Sequence, residues 1–372
     1  MAGDDFVVTP WKVEGEVDYD RLIERFGTQR ITPELLARWE KFAPLHPMLR
    51  RGIFYSHRDF GWALDQLEKG NPFYLYTGRG PSGHTHLGHM MPWLFTKHMQ
   101  DVFGSKLYFQ LTDDEKFVFK DDMTRAQVKE YAYENALDLI ALGFKPDKTK
   151  IFLDTEYIHT LYPIAIEVAK RITFSTAKAV FGFENSNNIG EIFYTSMQAV
   201  PAFLGSAEAG RNVPCVIPCA IDQDPHFRVT RDVADRMGYP KPSMFYCKML
   251  PSLAGADKMS ASIPDTAIYT VDTPKVARKK IMSAFTGGCV SVDEQRAKGG
   301  NPDICSVYQY LNYVFEPDDA KLAALRNDCT GGKILCGECK QGLAEKVLKF
   351  LEEHQAKREE ARAHLDEYML RD

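Results

Sequence analysis

The chain has 372 residues, is 44% hydrophobic and 26% charged, and carries a formal net charge of −5. That length allows two or three domains, and the composition excludes a largely disordered chain. The mild acidity gives no bulk electrostatic case for a polyanion or membrane partner, so any such partner must be held by local patches.

No window approaches 18 uninterrupted apolar residues, which excludes a membrane-spanning helix. The start, Met1-Ala2-Gly3-Asp4-Asp5, lacks the basic and apolar stretches of a signal peptide. Eight cysteines are too few for a disulfide scaffold at this length, so reduced thiols in a cytoplasmic protein are expected.

Residues 1–71 read as an irregular N-terminal layer. Phe6-Val7-Val8 and Trp11-Lys12-Val13 flank Thr9-Pro10 and predict a short hairpin. Thr32-Pro33-Glu34 opens a helix, with proline at the first helical position. From Pro72 strands and helices alternate. Phe73–Tyr76 is a buried strand, and Leu87 to His98 has helical spacing. Leu107–Leu111 is a second strand, and Thr124 caps a helix reaching Leu142. Ile151–Leu153 is a third strand. Helices follow near Ile164–Val180 and Glu191–Phe203. Val213–Ile221 is another strand, Asp224-Pro225 is an N-cap and first turn of a helix to Met237, and Ser243–Cys247 is a last short strand. Beyond Ser262 the pattern is mostly helical, and Gly342–Met369 reads as one long amphipathic helix. The alternation predicts an α/β fold. A doubly wound parallel-sheet (Rossmann-type) domain spans 72–264, and an α-helical domain spans 265–372.

Two segments could carry chemistry. Gly78-Arg79-Gly80-Pro81-Ser82-Gly83-His84-Thr85-His86-Leu87-Gly88-His89 lies between the first strand and its helix. Glycines permit close backbone approach, a helix N-terminus favours an anion, and Arg79 offers a fork for phosphate oxygens. A histidine pair could instead bind zinc, but the third ligand of an H-E-x-x-H motif is absent. Lys258-Met259-Ser260-Ala261-Ser262 lies just beyond the last strand and could bring a point charge to a phosphate. Alone, it also reads as a solvated surface loop.

Together they resemble the two signatures of class I aminoacyl-tRNA synthetases. Phe73 to Ser82, Thr112-Asp113-Asp114-Glu115-Lys116, Ile217 to Pro225 and Gly238-Tyr239-Pro240-Lys241-Pro242 resemble the tryptophanyl-tRNA synthetase family of archaeal and eukaryotic type. The resemblance runs from about Asp5 to the final helix.

The resemblance implies a tryptophan–tRNA ligase. L-tryptophan would react with ATP, accompanied by Mg2+, to the adenylate and then pass to the terminal adenosine of tRNA(Trp). No tightly bound cofactor and no metal ligands are expected. Arg79, His86, His89 and Lys258 would act on the phosphates, Gly80 and Ser260 would border ATP, Gly88 would leave room for adenine or ribose, and Met259 would line the adenine. Tyr76, Gly78, Gln110, Glu115, Gln198 and Gln223 would form the tryptophan site. The second lysine of the usual loop signature is Ala261 here, as in eukaryotic members, which leaves Lys258 as the loop's only charge. The family is homodimeric, with the interface expected from helices between about 115 and 215, and its helical part, here 265–372, binds the anticodon. Composition alone would not suggest RNA there. Arg278-Lys279-Lys280 reads equally as phosphate contacts or as a solvated helix face.

Three rivals stay open at this level: the sister tyrosyl enzyme, another adenylate-forming enzyme with an HxxGH loop, and a binding protein without activity. Cys336-Gly337-Glu338-Cys339 looks like half of a zinc site. Cys329 lies near, but no close histidine completes a tetrahedral set, so ordinary thiols are the expectation.

Overall fold

The computed structural model describes residues 7–8, 13–14, 17–259 and 264–372. Its centre is a seven-stranded sheet. In chain order the strands are β1 (Gln29–Arg30), β2 (Phe54–Arg58), β3 (Tyr74–Arg79), β4 (Leu107–Leu111), β5 (Thr149–Leu153), β6 (Cys215–Ala220) and β7 (Ser243–Cys247). Across the sheet the order is β1-β2-β7-β6-β3-β4-β5. The five strands from β7 to β5 run parallel, and β1 and β2 add an antiparallel edge.

All five expected strands are present. The antiparallel edge, from inside the segment read as a loose layer, was not foreseen. Val7 and Val8 pair with Glu14 and Val13, as the hairpin reading requires; Phe6 and Trp11 lie outside the described residues.

Side chains alternate between two cores with the strand period of two. Leu75, Phe109, Ile151, Val216 and Phe245 enter one core; Tyr74, Tyr76, Tyr108, Phe152, Ile217 and Tyr246 enter the other. Both faces are thereby covered, the condition for a parallel sheet.

The helices flanking the sheet are α1 (Leu87–Phe103), α2 (Asp113–Phe119), α3 (Arg125–Ala141), α4 (Ile158–Ala169), α5 (Phe174–Phe181), α6 (Ile189–Met197), α7 (Pro201–Ala209) and α8 (Asp224–Met237). Thr124 caps α3 in a reciprocal box with Gln127, and Thr32 caps Pro33–Glu40, both as expected. Four boundaries differ. The helix expected over Ile164–Val180 breaks because Thr173 caps a new one, α5. The helix expected over Glu191–Phe203 breaks because Pro201 starts α7. Asp224 is the first residue of α8 rather than its cap, because its buried carboxylate pairs with Arg58 at 2.9 Å. The long C-terminal helix, α10, starts at Cys336 and stops at Arg362, ahead of a short helix Leu365–Tyr368.

Helix α9 (Pro274–Met282) and α10 lead the helical region, which shares one core with the sheet. Met369 bridges to Ile151 at the sheet edge. The basic run on α9 is not one face: Lys280 turns inward to the Asp272 carboxylate at 2.8 Å and the Ala267 carbonyl at 2.9 Å.

Candidate active site

Strand β3 is where the order reverses. The chain moves outward through β4 and β5, then returns to place β6 on the other side. Such a switch point opens a crevice at the carboxyl ends of the strands. A cleft of about 380 Å³ lies there, lined from β3, α1, α2, α6, β6 and the start of α8.

Most of the expected site residues meet on its wall: Tyr76, Gly78, Arg79, Gly80, His86, Gly88, His89, Glu115, Gln198, Gln223 and Met259. Gln110 does not. It is fully buried and lies behind Tyr76. Ser260 is outside the described residues, as is the side chain of Lys258, whose backbone pairs with Pro251 in a hairpin.

The first signature is bonded through its backbone to the chain that follows the second. Leu87 N–H donates to the Ile268 carbonyl at 3.0 Å, and Thr270 N–H donates to the Thr85 carbonyl at 2.9 Å. The chain leaving the second signature therefore clips the first. Met259 N–H donates to Leu250, and a Cβ on Gly88 would stand 3.4 Å from Met259 Cβ. His86 is the N-cap of α1, and its ring stacks on His89 with centroids 3.4 Å apart. Arg79 Nε donates to Asn135 Oδ1 at 2.8 Å, and its Nη1 sits 2.9 Å from His89 Nε2. Burial lowers the Arg79 pKa to about 10, against the pull of Asp138 and Glu115, so it remains a cation at neutral pH.

The deeper end is a hydrogen-bonded relay. Gln110 Nε2 donates to both Asp154 oxygens at 2.9 and 3.0 Å. Its oxygen is thereby turned to Tyr76, whose hydroxyl donates to it at 2.6 Å. Gln198 Nε2 donates to the Tyr76 oxygen at 2.5 Å, and Tyr194 donates to Gln198 Oε1. Burial raises the pKa of both Asp154 and Asp114; the Asp114 carboxyl raises Asp154 further, while its hydrogen bond with Asp154 partly offsets the rise at Asp114, to which Asp113 and Glu115 also contribute. Phe227 meets the Tyr76 ring edge to face, with centroids 5.9 Å apart.

Glu115 differs in kind. Burial pushes its pKa up, but the Lys116 ammonium at 2.6 Å and the Thr112 hydroxyl at 2.6 Å more than offset this and hold it below its ordinary value. A buried anion thus faces the cleft. Gly80 leaves room for this clamp: a Cβ there would lie 2.0 Å from Lys116 Cε and 2.6 Å from Glu115 Oε2.

The wall also holds residues to which the sequence assigned no role: Thr112, Lys116 and Asp222, inside quoted motifs, and Tyr194, His226 and Phe227, outside them. Thr112 and Lys116 were legible as neighbours of Glu115. His226 was not, because its place depends on how α8 turns beneath β6.

A sheet with this switch point, two signature loops at its carboxyl edge and a helical region behind it defines a nucleotide-dependent α/β enzyme. The family model described as tRNA synthetases class I (W and Y) matches residues 68–352, and the chain belongs to that family. The chain is 53% identical over 369 residues to the tryptophan–tRNA ligase of Pyrobaculum arsenaticum, covering 99% of this chain and 98% of that one. Among solved structures, it resembles the tryptophanyl-tRNA synthetase of Giardia lamblia with a TM-score of 0.88 at 38% identity, covering 95% and 96% of the two chains. It also resembles the tryptophan-bound tryptophanyl-tRNA synthetase of Encephalitozoon cuniculi with a TM-score of 0.87 at 37% identity, covering 95% and 98%.

Proposed function

We propose that this chain is a tryptophan–tRNA ligase: it activates L-tryptophan with the magnesium complex of ATP and passes it to the terminal adenosine of tRNA(Trp). The observation that carries this is the relay from Asp154 through Gln110 to Tyr76 and Gln198, in a chain half identical to tryptophan–tRNA ligases.

Indole N–H can only donate. Asp154 fixes the Gln110 amide with its oxygen toward Tyr76, which commits the Tyr76 hydrogen; Gln198 takes one lone pair of the Tyr76 oxygen and the second is the acceptor for indole. Phenylalanine would leave that acceptor desolvated and unpaired, at a cost of about 1–3 kcal/mol. Glu115 and Gln223 hold the substrate ammonium and orient its carboxylate. A carboxylate oxygen attacks the α-phosphorus, the bond to the bridging oxygen of the β-phosphate breaks, and pyrophosphate leaves with that electron pair. The nucleophile is already ionised, so no base is needed, and catalysis is positioning plus electrostatics. Arg79, His86, His89 and Lys258 offset charge on the phosphates. Gly80 and Ser260 border ATP, Gly88 makes room for the sugar or base, and Met259 lines the adenine. In the second step the terminal ribose hydroxyl attacks the mixed anhydride and AMP leaves.

The working form is a cytoplasmic homodimer, with the 265–372 region on the anticodon. Support for a dimer comes from apolar side chains left exposed between 115 and 215: Phe117, Tyr162, Ile166, Phe174 and Ile189. Among the described residues no helix is long and apolar enough to cross a membrane.

The test is charging of a tRNA(Trp) transcript with labelled tryptophan. The wild type should accumulate Trp-tRNA, and His86→Ala should slow this on the order of 100-fold. Folded protein that leaves the tRNA uncharged would contradict the reading.

A further inference from the structure

A second, small apolar cavity of about 20 Å³ lies within the helical region. Four of the eight cysteines line it: Cys305, Cys329, Cys336 and Cys339. They come from three helices. Cys305 is the N-cap of Ser306–Tyr310, and Cys329 lies in the last turn of Asp319–Thr330. Cys336 and Cys339 open α10, where a spacing of three puts them on one side of the helix.

Two further observations concern the same space. Gln295 is only 4% exposed, and its oxygen accepts from Cys289 N–H at 2.8 Å. Its Nε2 is buried without any hydrogen-bond partner, and the residue lines the cavity. Buried amide donors are rarely left unpaired, and second-shell donors to ligating atoms are a common reason for one. Glycines also make room at the sulfurs. A Cβ on Gly288 would come within 2.4 Å of Cys336 Sγ, and one on Gly300 within 3.1 Å of Cys329 Sγ and 2.9 Å of Gln295 Nε2.

The geometry points to a metal centre of this chain: Cys305, Cys329, Cys336 and Cys339 ligate one thiophilic metal through four thiolates, and Gln295 Nε2 donates to a ligating sulfur. This replaces the expectation of a chain without metal ligands. The second pair that the Cys336–Cys339 half-site lacked is Cys305 with Cys329, far apart in sequence and joined by the fold. Four sulfurs select zinc or iron, and the cavity has room for about one ion. No three such side chains converge on a point as they stand among the described residues. Ligation therefore draws the sulfurs inward by rotation about Cα–Cβ and releases the thiol protons to solvent. A dication supplies the positive charge that no side chain lining the cavity carries.

The experiment uses the full chain, purified anaerobically without chelator from medium containing zinc and iron. Metal and acid-labile sulfide are measured per chain, and cysteines are mapped by alkylation and mass spectrometry. One zinc per chain, or iron with or without sulfide, supports the site. In either case Cys305, Cys329, Cys336 and Cys339 become alkylated only after chelator, a readout that needs no variant. Metal should fall at least fivefold in Cys305→Ser and Cys339→Ser and stay constant in Cys289→Ser. Tryptophan-dependent pyrophosphate exchange should be unchanged in all three. Less than a tenth of an equivalent of metal in folded wild type, disulfides among the four, or full metal in a Cys305→Ser/Cys339→Ser double variant would overturn the proposal.

Discussion

Single side chains divide the cleft into a neutral relay and a charged clamp, and the two respond differently to substitution. Gln110→Ala removes the link between Asp154 and Tyr76 without touching the cleft wall. Its kcat/KM for tryptophan should fall about 10- to 100-fold, the equivalent of one or two lost buried hydrogen bonds, while the KM for ATP stays near wild type. Equal losses for both substrates in steady-state exchange would speak against a relay. Gly80→Ala should instead displace Lys116 from Glu115 and raise the KM for tryptophan on the order of tenfold. His226 makes a pH prediction. Burial lowers its pKa from 6.5 to about 4, so between those values the unfolded chain binds a proton that the folded chain refuses. Stability should therefore rise as pH increases from 4 to 6.5, by on the order of 3 kcal/mol from this residue. Urea midpoints of His226→Gln should show a shallower rise over that window than wild type. The wall residues between Gly78 and His89 could be read in the sequence, because a glycine-rich and His-rich loop advertises itself. The depth of Gln110 could not: a glutamine at the end of a strand reads the same whether it faces substrate or the residue that does.

Elements were legible wherever local chemistry decided them. Thr124 with Gln127 at N3 marks the start of α3 within one residue, because the capping box is a short-range contact. Thr124→Ala should lower stability by about 1 kcal/mol in urea unfolding, with no effect on exchange rates. Breaks inside the apolar stretches between 158 and 209 were missed, since a helical apolar pattern can continue across a short interruption. The antiparallel edge was missed because β1 is two residues long and β2 gains its identity from β7. A buried charge pair joins that edge to the catalytic sheet: Arg58 meets Asp224, which also accepts from Tyr246. Asp224→Ala would strand the arginine, and should cost about 3–5 kcal/mol on the chemical unfolding curve. A cost below 1 kcal/mol would show that β2 is held by its backbone ladder alone.

At the scale of the molecule, the helical region is tied to the sheet domain by buried charge as well as by apolar packing. Asp138 on α3 meets His354 at 3.0 Å and Arg358 at 2.8 Å, both on α10. On the same helix Gln355 Nε2 donates to the Thr270 and Asp272 carbonyls at 2.7 and 3.0 Å, so the docking of α10 bears on the chain that clips the first signature and through it on the cleft. Sequence reading found the order of the motifs and the helical character of 265–372. It could not find the cysteine cavity there, because three helices must pack before those thiols meet. The central claim is that one cleft joins tryptophan to ATP, and pyrophosphate exchange tests it most directly. Purified protein with magnesium and ATP should exchange pyrophosphate with tryptophan and fall to background with tyrosine, phenylalanine or no amino acid. Exchange driven by tyrosine instead, or none with any of them, would contradict the account.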